Sequence, residues 1–375
     1  MPIRSDPTAR LPGAATFARA AAALVADRSG ARSSWVDPYT IAYGDEMYAV
    51  LAQERPATTA LAEYVRTGVE AAGAALAALE AVGGGAPRRL LDFGCGFGRA
   101  TRFMNAGAVA NVSACDVRRD AVAWTAARAP GPVFSVDAAP ARPHGAPFDV
   151  VFAASVFSHL PRARFEGWLD ALLDALAPDG LLVFSYLDRG AAVADADRGG
   201  GPFAFTARSE SAVLPAAEYG LTQVDTAWLL DRFASRDVPA RVAPSALWAH
   251  QHLCAAGPGD VDAVGRIAAR CGATGDATFG RDLSERDGAV RLASGWIEWR
   301  ACGPAPVAVD LASPEHVVEA LLGPEQPPSR AGRRRRAWTW RGPVPETVLG
   351  RMPIVAFARW ADGARRAVAG GAVGE

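Results

Sequence analysis

Hydrophobic positions follow two periods along this chain. From Thr58, the residues Leu61, Val65, Val69, Ala72, Leu76 and Leu79 recur at helical spacing until Gly83, Gly84 and Gly85 end the pattern. The apolar positions then gather into short runs, each reading as a buried strand: Leu90, Leu91 and Phe93; Val112 and Ala114 within Asn111 to Asp116; Val133, Phe134 and Val136; Phe148 to Ala154; and Gly180 to Tyr186. Helical stretches separate them, at Ala100 to Ala108, Arg118 to Ala127 and Arg162 to Leu176. Strands alternating with helices predict a parallel sheet covered on both faces.

Outside this alternation the pattern changes twice. Residues before about Ser34 suit a frayed start and one amphipathic helix, and Trp35 to Leu51 crowds Trp35, Tyr39, Tyr43 and Tyr48 around Asp45 and Glu46. A Gly-, Ala- and Asp-rich stretch from Asp188 to Pro202 is long for a connection and predicts a lid or insertion. Asp225 is placed to cap a helix through Phe233, with two last strands at Ala240 to Val242 and Gln251 to Ala255. GPGD near Gly257 then marks a boundary. Beyond it come one helix, Val261 to Ala269, and six short strand-like runs, Ala289 to Leu292, Trp296 to Trp299, Val307 to Leu311, His316 to Leu321, Ala337 to Trp340 and Ile354 to Trp360, which predict a small antiparallel sandwich. The expected organisation is a helical cap over residues 1–87, an α/β domain over 88–257 and a β-rich domain over 258–375.

Composition removes several functions. At 375 residues and 50% hydrophobic content the chain can bury a large core, and a net charge of −1 supplies no global field for nucleic acid or an anionic membrane. Lysine is absent, which excludes Schiff-base chemistry and a lysine general base. Five scattered cysteines, none in a C-x-x-C pair, fit neither a disulfide framework nor a structural zinc site and suit a reducing cytoplasm. No segment has the length and apolarity of a membrane span, so the chain reads as soluble and cytoplasmic. His250 and His252 share a strand face as a two-histidine metal pair would, but no third ligand accompanies them and no metal is expected. Arg333 to Arg336, beside Trp338 and Trp340, reads as a solvated hairpin loop rather than a nucleic-acid groove, which needs basic groups spread along its length.

The chemistry concentrates at LLDFGCGFGRATRF, Leu90 to Phe103. Gly94, Gly96 and Gly98 release a strand into a tight turn where a ligand can approach the main chain. A dinucleotide fingerprint would need glycine where Arg99 stands. Asp92-x-Gly94-x-Gly96-x-Gly98 instead resembles motif I of the class I S-adenosylmethionine-dependent methyltransferases, and the acidic ends of the next strands, Asp116 and Asp137, follow in the order that family shows. The resemblance covers about Trp35 to Ala256. It implies a Rossmann-like methyltransferase sheet with S-adenosyl-L-methionine as cofactor, held by Asp92, Gly94, Cys95, Gly96, Gly98, Asp116, Val117, Asp137, Ala138, Ala154 and Ser155, with Tyr43 reaching over from the cap. Asp116 alone could also be a helix cap, and Asp137 a turn residue.

His159, just past the fourth strand, is the candidate general base, with a backbone-bonded histidine as the alternative. Tyr186, Arg208, Glu210, Glu218 and Tyr219 are candidates for the substrate side. Ala154-Ser155-Val156-Phe157 replaces the Asn/Asp-Pro-Pro-aromatic run of enzymes that methylate base amines, which leaves a small hydroxylated or sugar-containing metabolite as the expected O-methyl acceptor and nucleic acid disfavoured. Two other readings share the fold: an NAD-dependent oxidoreductase or epimerase, which lacks a Tyr-x-x-x-Lys pair here, and a non-catalytic nucleoside-binding scaffold. Oligomeric state is not legible.

Overall fold

The computed structural model describes residues 12–371 except 56, 84–86, 105–109, 191–200, 210, 272–273, 282–289, 301–304, 314–316, 329–332 and 344–353. Three helices open the chain: α1 (Pro12–Arg28), α2 (Glu46–Glu54) and α3 (Ala57–Ala81). In α3 the helical period buries Leu61, Val65, Ala72 and Leu79, with Val69 packed at the edge of the same cluster. Each fully buried Leu or Val contributes about 1.5–3 kcal/mol, so a charge at Val65 would cost more than a typical surface change. Asp45 starts α2 by accepting the Tyr48 N–H at 3.1 Å.

The first sheet contains β1 (Arg88–Phe93), β2 (Ala110–Asp116), β3 (Val133–Ser135), β4 (Phe148–Ala153), β5 (Leu176–Asp188), β6 (Phe203–Thr206), β7 (Leu221–Val224), β8 (Ala240–Leu247) and β9 (Gln251–Ala256). Its parallel core runs β3-β2-β1-β4-β5, and β9 lies antiparallel between β5 and β8. Helices α4 (Arg119–Ala126), α5 (Arg162–Leu173), α6 (Thr226–Ala234) and α7 (Val264–Ala269) complete this part. Apolar clusters line both sheet faces: Leu90, Val150, Phe152, Leu181 and Val183 face α3, whereas Leu91, Val151, Leu182 and Phe184 face Phe165, Leu169 and Leu172 of α5. The chain winds outward through β2 and β3 on one side of β1 and through β4 and β5 on the other, so the order reverses between β1 and β4. A ligand crevice forms at such a reversal, outside the carboxyl ends of the strands.

Several expectations shift. The helix expected from Ala100 to Ala108 is a single 3-10 turn, Thr101–Phe103, and residues 105–109 lie outside the described residues. The helix expected to run to Leu176 stops at Leu173, and β5 starts at once, absorbing Pro178 and Gly180 in an irregularity opposite Phe148 and Val150. The short β6–β7 ribbon was not anticipated; it extends the top of β5 through Leu187 and Asp188. Asp225 occupies the cap position of α6, but its side chain makes no cap bond. Asp188 does that work, its Oδ1 accepting from the Thr226 N–H (3.1 Å) and the Thr226 hydroxyl (2.7 Å). Most of the expected lid, residues 191–200, lies outside the described residues.

A second, antiparallel sheet follows α7: β10 (Thr274–Arg281), β11 (Val290–Arg300), β12 (Ala308–Ala312), β13 (Val317–Glu325), β14 (Arg333–Pro343), β15 (Ile354–Arg359) and β16 (Arg365–Gly371). Its order is β10-β11-β14-β13-β12-β15-β16, and it curls so that the first and last strands lie beside each other. The C-terminal β-rich unit is thus present. The arginine run is not a loop, however: Arg333 to Arg336 open β14 and pair with Arg300 to Ile297 of β11. Arg333 is only 5% exposed because its guanidinium bonds Glu298 Oε1 (2.5 Å) and the carbonyls of Ser245 and Ala249 (both 3.3 Å). Ser245, in the irregular last part of β8, and Ala249, in the turn that follows, both have positive φ and present their carbonyls to this planar donor. Among the described residues no helix is long and apolar enough to cross a membrane.

Candidate active site

A cavity of about 250 Å³ opens at the sheet reversal. Each strand end contributes to its wall: Phe93 to Phe97 after β1, Asp116 to Arg118 after β2, Val136 to Ala138 after β3, and Ala154 to Val156 after β4. The glycine turn gives the cavity its floor. Gly94 and Gly98 have φ of +75° and +73°, and a Cβ there would lie 2.3 Å from Val156 Cγ2 and 2.5 Å from the Trp35 ring. Only glycine fits both. A Cβ on Gly96 would meet nothing within 4 Å, so the main chain faces open space at the position where a ligand could approach it.

Two buried aspartates hold this turn from opposite sides. Asp92 lies behind it and accepts the Thr101 hydroxyl at 2.5 Å; burial raises its pKa to about 6. Asp92 therefore supports the turn and is absent from the cavity wall. Asp116 lines the cavity, its Oδ2 accepting the Gly96 N–H and its Oδ1 the Arg118 N–H, both at 2.8 Å. Burial pushes its carboxyl above the ordinary value, opposed by those two N–H groups and by the Arg118 charge. Each oxygen retains a second lone pair. Cys95 also lines the cavity; burial pushes its thiol up, and so it is no nucleophile at neutral pH. Val117, Asp137, Ala138, Ala154 and Ser155 also line the cavity.

The cap closes the cavity through residues that sequence reasoning missed. Arg102 is fully buried and spends all its donors: Nε on the Gly98 carbonyl (2.8 Å), Nη1 on those of Pro38 and Thr40 (2.8 and 3.2 Å), and Nη2 on the Phe97 carbonyl and Tyr64 hydroxyl (2.9 and 3.3 Å). Its guanidinium also lies 4.7 Å from the Trp35 ring centre. One side chain thereby ties the glycine turn, the N-terminal segment and α3 together. The Tyr64 hydroxyl continues the network to Asp45 Oδ2 at 2.5 Å. Glu46 bridges the rim, pairing with Arg118 (2.9 Å) and accepting the Ala212 N–H (2.7 Å). Tyr43, the residue expected over the cofactor, is instead 59% exposed and outside the wall, which Asp45, Glu46, Met47 and Val50 form. A tyrosine in a crowded aromatic run gave no sign of which neighbour faces inward.

On the other side stands His159. Its Nδ1 is 2.8 Å from the Gly220 carbonyl, and a carbonyl only accepts, so Nδ1 donates there and Nε2 is the acceptor whenever the ring is neutral. Nε2 lies 3.5 Å from Ser155 Oγ, and the ring stacks on Tyr219 at 4.4 Å. The histidine is both backbone-bonded and in the cavity wall. Glu218 and Arg164 pair at 3.2 Å on the rim, and Tyr219 lines the wall. Two substrate-side candidates are displaced. Tyr186 is fully buried within the sheet, bonding Thr226 Oγ1 at 2.7 Å, and Arg208 is exposed away from the wall. Glu210 lies outside the described residues. His250 sits in the turn before β9 and faces the Trp248 carbonyl (2.8 Å), whereas His252 accepts the Ser245 N–H (3.1 Å), so the two do not form one ligand face.

Comparison with known proteins follows this geometry. Residues 61–219 match a family model described as a methyltransferase domain. No curated protein sequence matches the chain. Among solved structures, the complex of DhpI with SAH is 20% identical over 59% of this chain and 100% of its own, with a TM-score of 0.36. The glycopeptide N-methyltransferase MtfA with S-adenosyl-L-methionine is 16% identical over 49% and 86%, with a TM-score of 0.37. The CcbJ methyltransferase from Streptomyces caelestis is 16% identical over 51% and 90%, with a TM-score of 0.38. With its glycine turn and its aspartate-ended strands at the sheet reversal, the matched segment is an S-adenosylmethionine-dependent methyltransferase domain, and a β-rich unit follows the sheet that carries it.

Proposed function

We propose that this methyltransferase transfers a methyl group to a hydroxyl of a small metabolite, with His159 as the base. The observation that carries the reading is the pinning of Nδ1 by Gly220, which leaves Nε2 as a proton acceptor in the wall of the cavity that holds the glycine turn. A hydroxyl must lose a proton as it is methylated, whereas a neutral amine already offers a lone pair. A fixed imidazole acceptor therefore favours oxygen.

The residues present fit the cofactor. The open main chain at Gly96 would let it approach, the spare lone pairs of Asp116 suit two ribose hydroxyls, Asp137 and Ala138 suit the adenine edge, and Ala154 would take the amino-acid end. S-adenosylmethionine supplies an electrophilic methyl group on a sulfonium. The protein's task is alignment and exclusion of water, worth about 7–11 kcal/mol where alignment is good. Arg102 and Glu46 serve it by holding the cap over the cavity, and Tyr219 serves it by fixing the plane of His159. A sugar-bearing acceptor and a cytoplasmic location complete the reading.

Calorimetric titration with S-adenosylmethionine, S-adenosylhomocysteine and NAD tests the cofactor, with micromolar binding of the first two and none of NAD expected. Paired acceptors differing only in a hydroxyl or an amine, offered with methyl-labelled donor, then test the atom. Label on the amine partners alone would overturn O-methylation.

A further inference from the structure

A line of buried polar side chains runs from β9 through β5 to the end of β4 and reaches His159. The Ser155 N–H donates to Ser185 Oγ at 2.7 Å, and the Ser185 hydroxyl donates its own proton to Gln251 Oε1 at 2.5 Å. With the Ser155 N–H already on Ser185 Oγ, the Ser185 proton is left for the amide oxygen, which sets the amide's orientation. Gln251 Nε2 therefore donates to Ser155 Oγ, 3.0 Å away. With one lone pair occupied, the Ser155 hydroxyl has two neighbours left for its proton, His159 Nε2 at 3.5 Å and Ser158 Oγ at 3.2 Å. Ser185, Gln251 and Ser158 are buried, so water does not scramble the sequence of donors. Ser155 itself has a φ of +58°, a conformation uncommon outside glycine and one that aims its side chain between these partners.

We infer that Ser185 and Gln251 are positioning residues that set the polarity of the Ser155 hydroxyl, so that it donates to Nε2 and holds His159 neutral until an acceptor hydroxyl takes that place. Ser155 then turns its proton to Ser158. In the step that follows, the acceptor O–H bond would break and its proton form the Nε2–H bond, while the electron pair left on oxygen forms the bond to the methyl carbon and the methyl–sulfur bond breaks, its pair staying on the sulfur of the departing neutral thioether. This rests on the reading of His159 as the base. Among the described residues, the charged or titratable groups that line the same cavity include Tyr219, stacked on the ring, the Glu218–Arg164 pair, Arg99, and Asp45 and Glu46 of the cap, and none of these belongs to the line.

The test is the His159 pKa, read by NMR in histidine-labelled protein and assigned by the resonance lost in His159→Gln; the chain has only five histidines in all. Gln251→Glu is nearly isosteric and gives Ser155 an acceptor in place of a donor, so its hydroxyl leaves Nε2 and the pKa rises by about one unit. Ser185→Ala frees the amide to turn its oxygen to Ser155 without adding charge, and the pKa rises by about half a unit. In a Ser155→Gly background, which the positive φ tolerates, the Ser185→Ala shift vanishes. A rise with Gln251→Glu alone would mean that its charge acts through space, and would overturn the inference. So would no shift, a fall, or a Ser185→Ala shift that persists without the Ser155 hydroxyl. The titration needs no acceptor: if the shifts appear and no hydroxyl is methylated, the base assignment fails and the relay stands.

Discussion

Asp116→Ala removes a carboxylate that acts on the cofactor and on the protein together. Its two oxygens each accept one backbone N–H at 2.8 Å, from Gly96 and Arg118, and on the reading above each also accepts one ribose hydroxyl. A hydrogen bond to a charged partner contributes about 1.5–3 kcal/mol, so losing two costs about 3–6 kcal/mol. Loosening of the Gly96 N–H adds to this. The Kd for S-adenosylhomocysteine should therefore rise by at least about a hundredfold, since 1.4 kcal/mol is tenfold. Asp116→Asn should be nearly as damaging, because an amide accepts at one edge only and its NH2 would face either the Gly96 or the Arg118 N–H. Calorimetric titration of both variants, with circular dichroism to confirm the fold, gives the answer. Binding by Asp116→Ala within about threefold of wild type would refute the ribose role. The pH dependence gives a second check. Burial raises this pKa, and the ionised form is the acceptor, so affinity is full at neutral pH and falls on acidification from above the usual carboxylate range. Asp116→Ala should lack that fall.

Three further outcomes follow from the site. Asp92 titrates at about 6 in the fold against an ordinary 3.8; a raised carboxyl pKa gives stability that is present below 3.8 and lost as pH rises through about 6, on the order of 3 kcal/mol. Asp92→Asn keeps an acceptor for Thr101 and should raise Tm at neutral pH while flattening its slope between those values; an unchanged slope in scanning fluorimetry would contradict the assignment. Arg102→Met strips donors from four backbone carbonyls and should both lower Tm and weaken S-adenosylhomocysteine binding, each lost bond costing about 1–3 kcal/mol; a drop in Tm with wild-type affinity would separate the clamp from the cavity. His159→Ala should lower kcat by about 10²–10⁴-fold and abolish the acid limb of the rate profile, with cofactor Kd unchanged, as measured by steady-state kinetics and calorimetry.

Short apolar runs and glycines carried most of what the sequence revealed. A buried parallel strand must be apolar on both faces, and a turn at positive φ packed against Val156 or Trp35 must be glycine, so Leu90 to Gly98 read as a strand running into a ligand-facing turn. The acidic strand ends followed from it. Charged residues were less legible because their burial depends on partners distant in the chain. Arg102 has the look of an exposed helical arginine until Pro38 and Thr40 come to meet it. Arg333 resembles a loop residue until Ser245 and Ala249 turn their carbonyls out. Tyr186 and Arg208 were misplaced for a related reason: a tyrosine in an apolar strand and an arginine after a short ribbon carry no mark of which side the cavity will take. Ser155 and Gln251 share a hydrogen bond across 96 residues of sequence, a separation no local pattern bridges.

The apolar cluster on one face of the first sheet has members from both ends of the described chain. Ala18, Ala22 and Val25 of α1 share it with α3 and with Val355, Phe357 and Ala367 of the last two strands. Ribosomal synthesis delivers α1 more than 300 residues before β16, so the helices must wait for this part of their cover while all that lies between is made. During that interval their alanine- and valine-rich faces are open to other nascent chains. Production of this protein should therefore be limited by what shields α1 and α3 until the final hairpin arrives, and a chaperone that binds short apolar helices would raise soluble yield without touching the finished molecule.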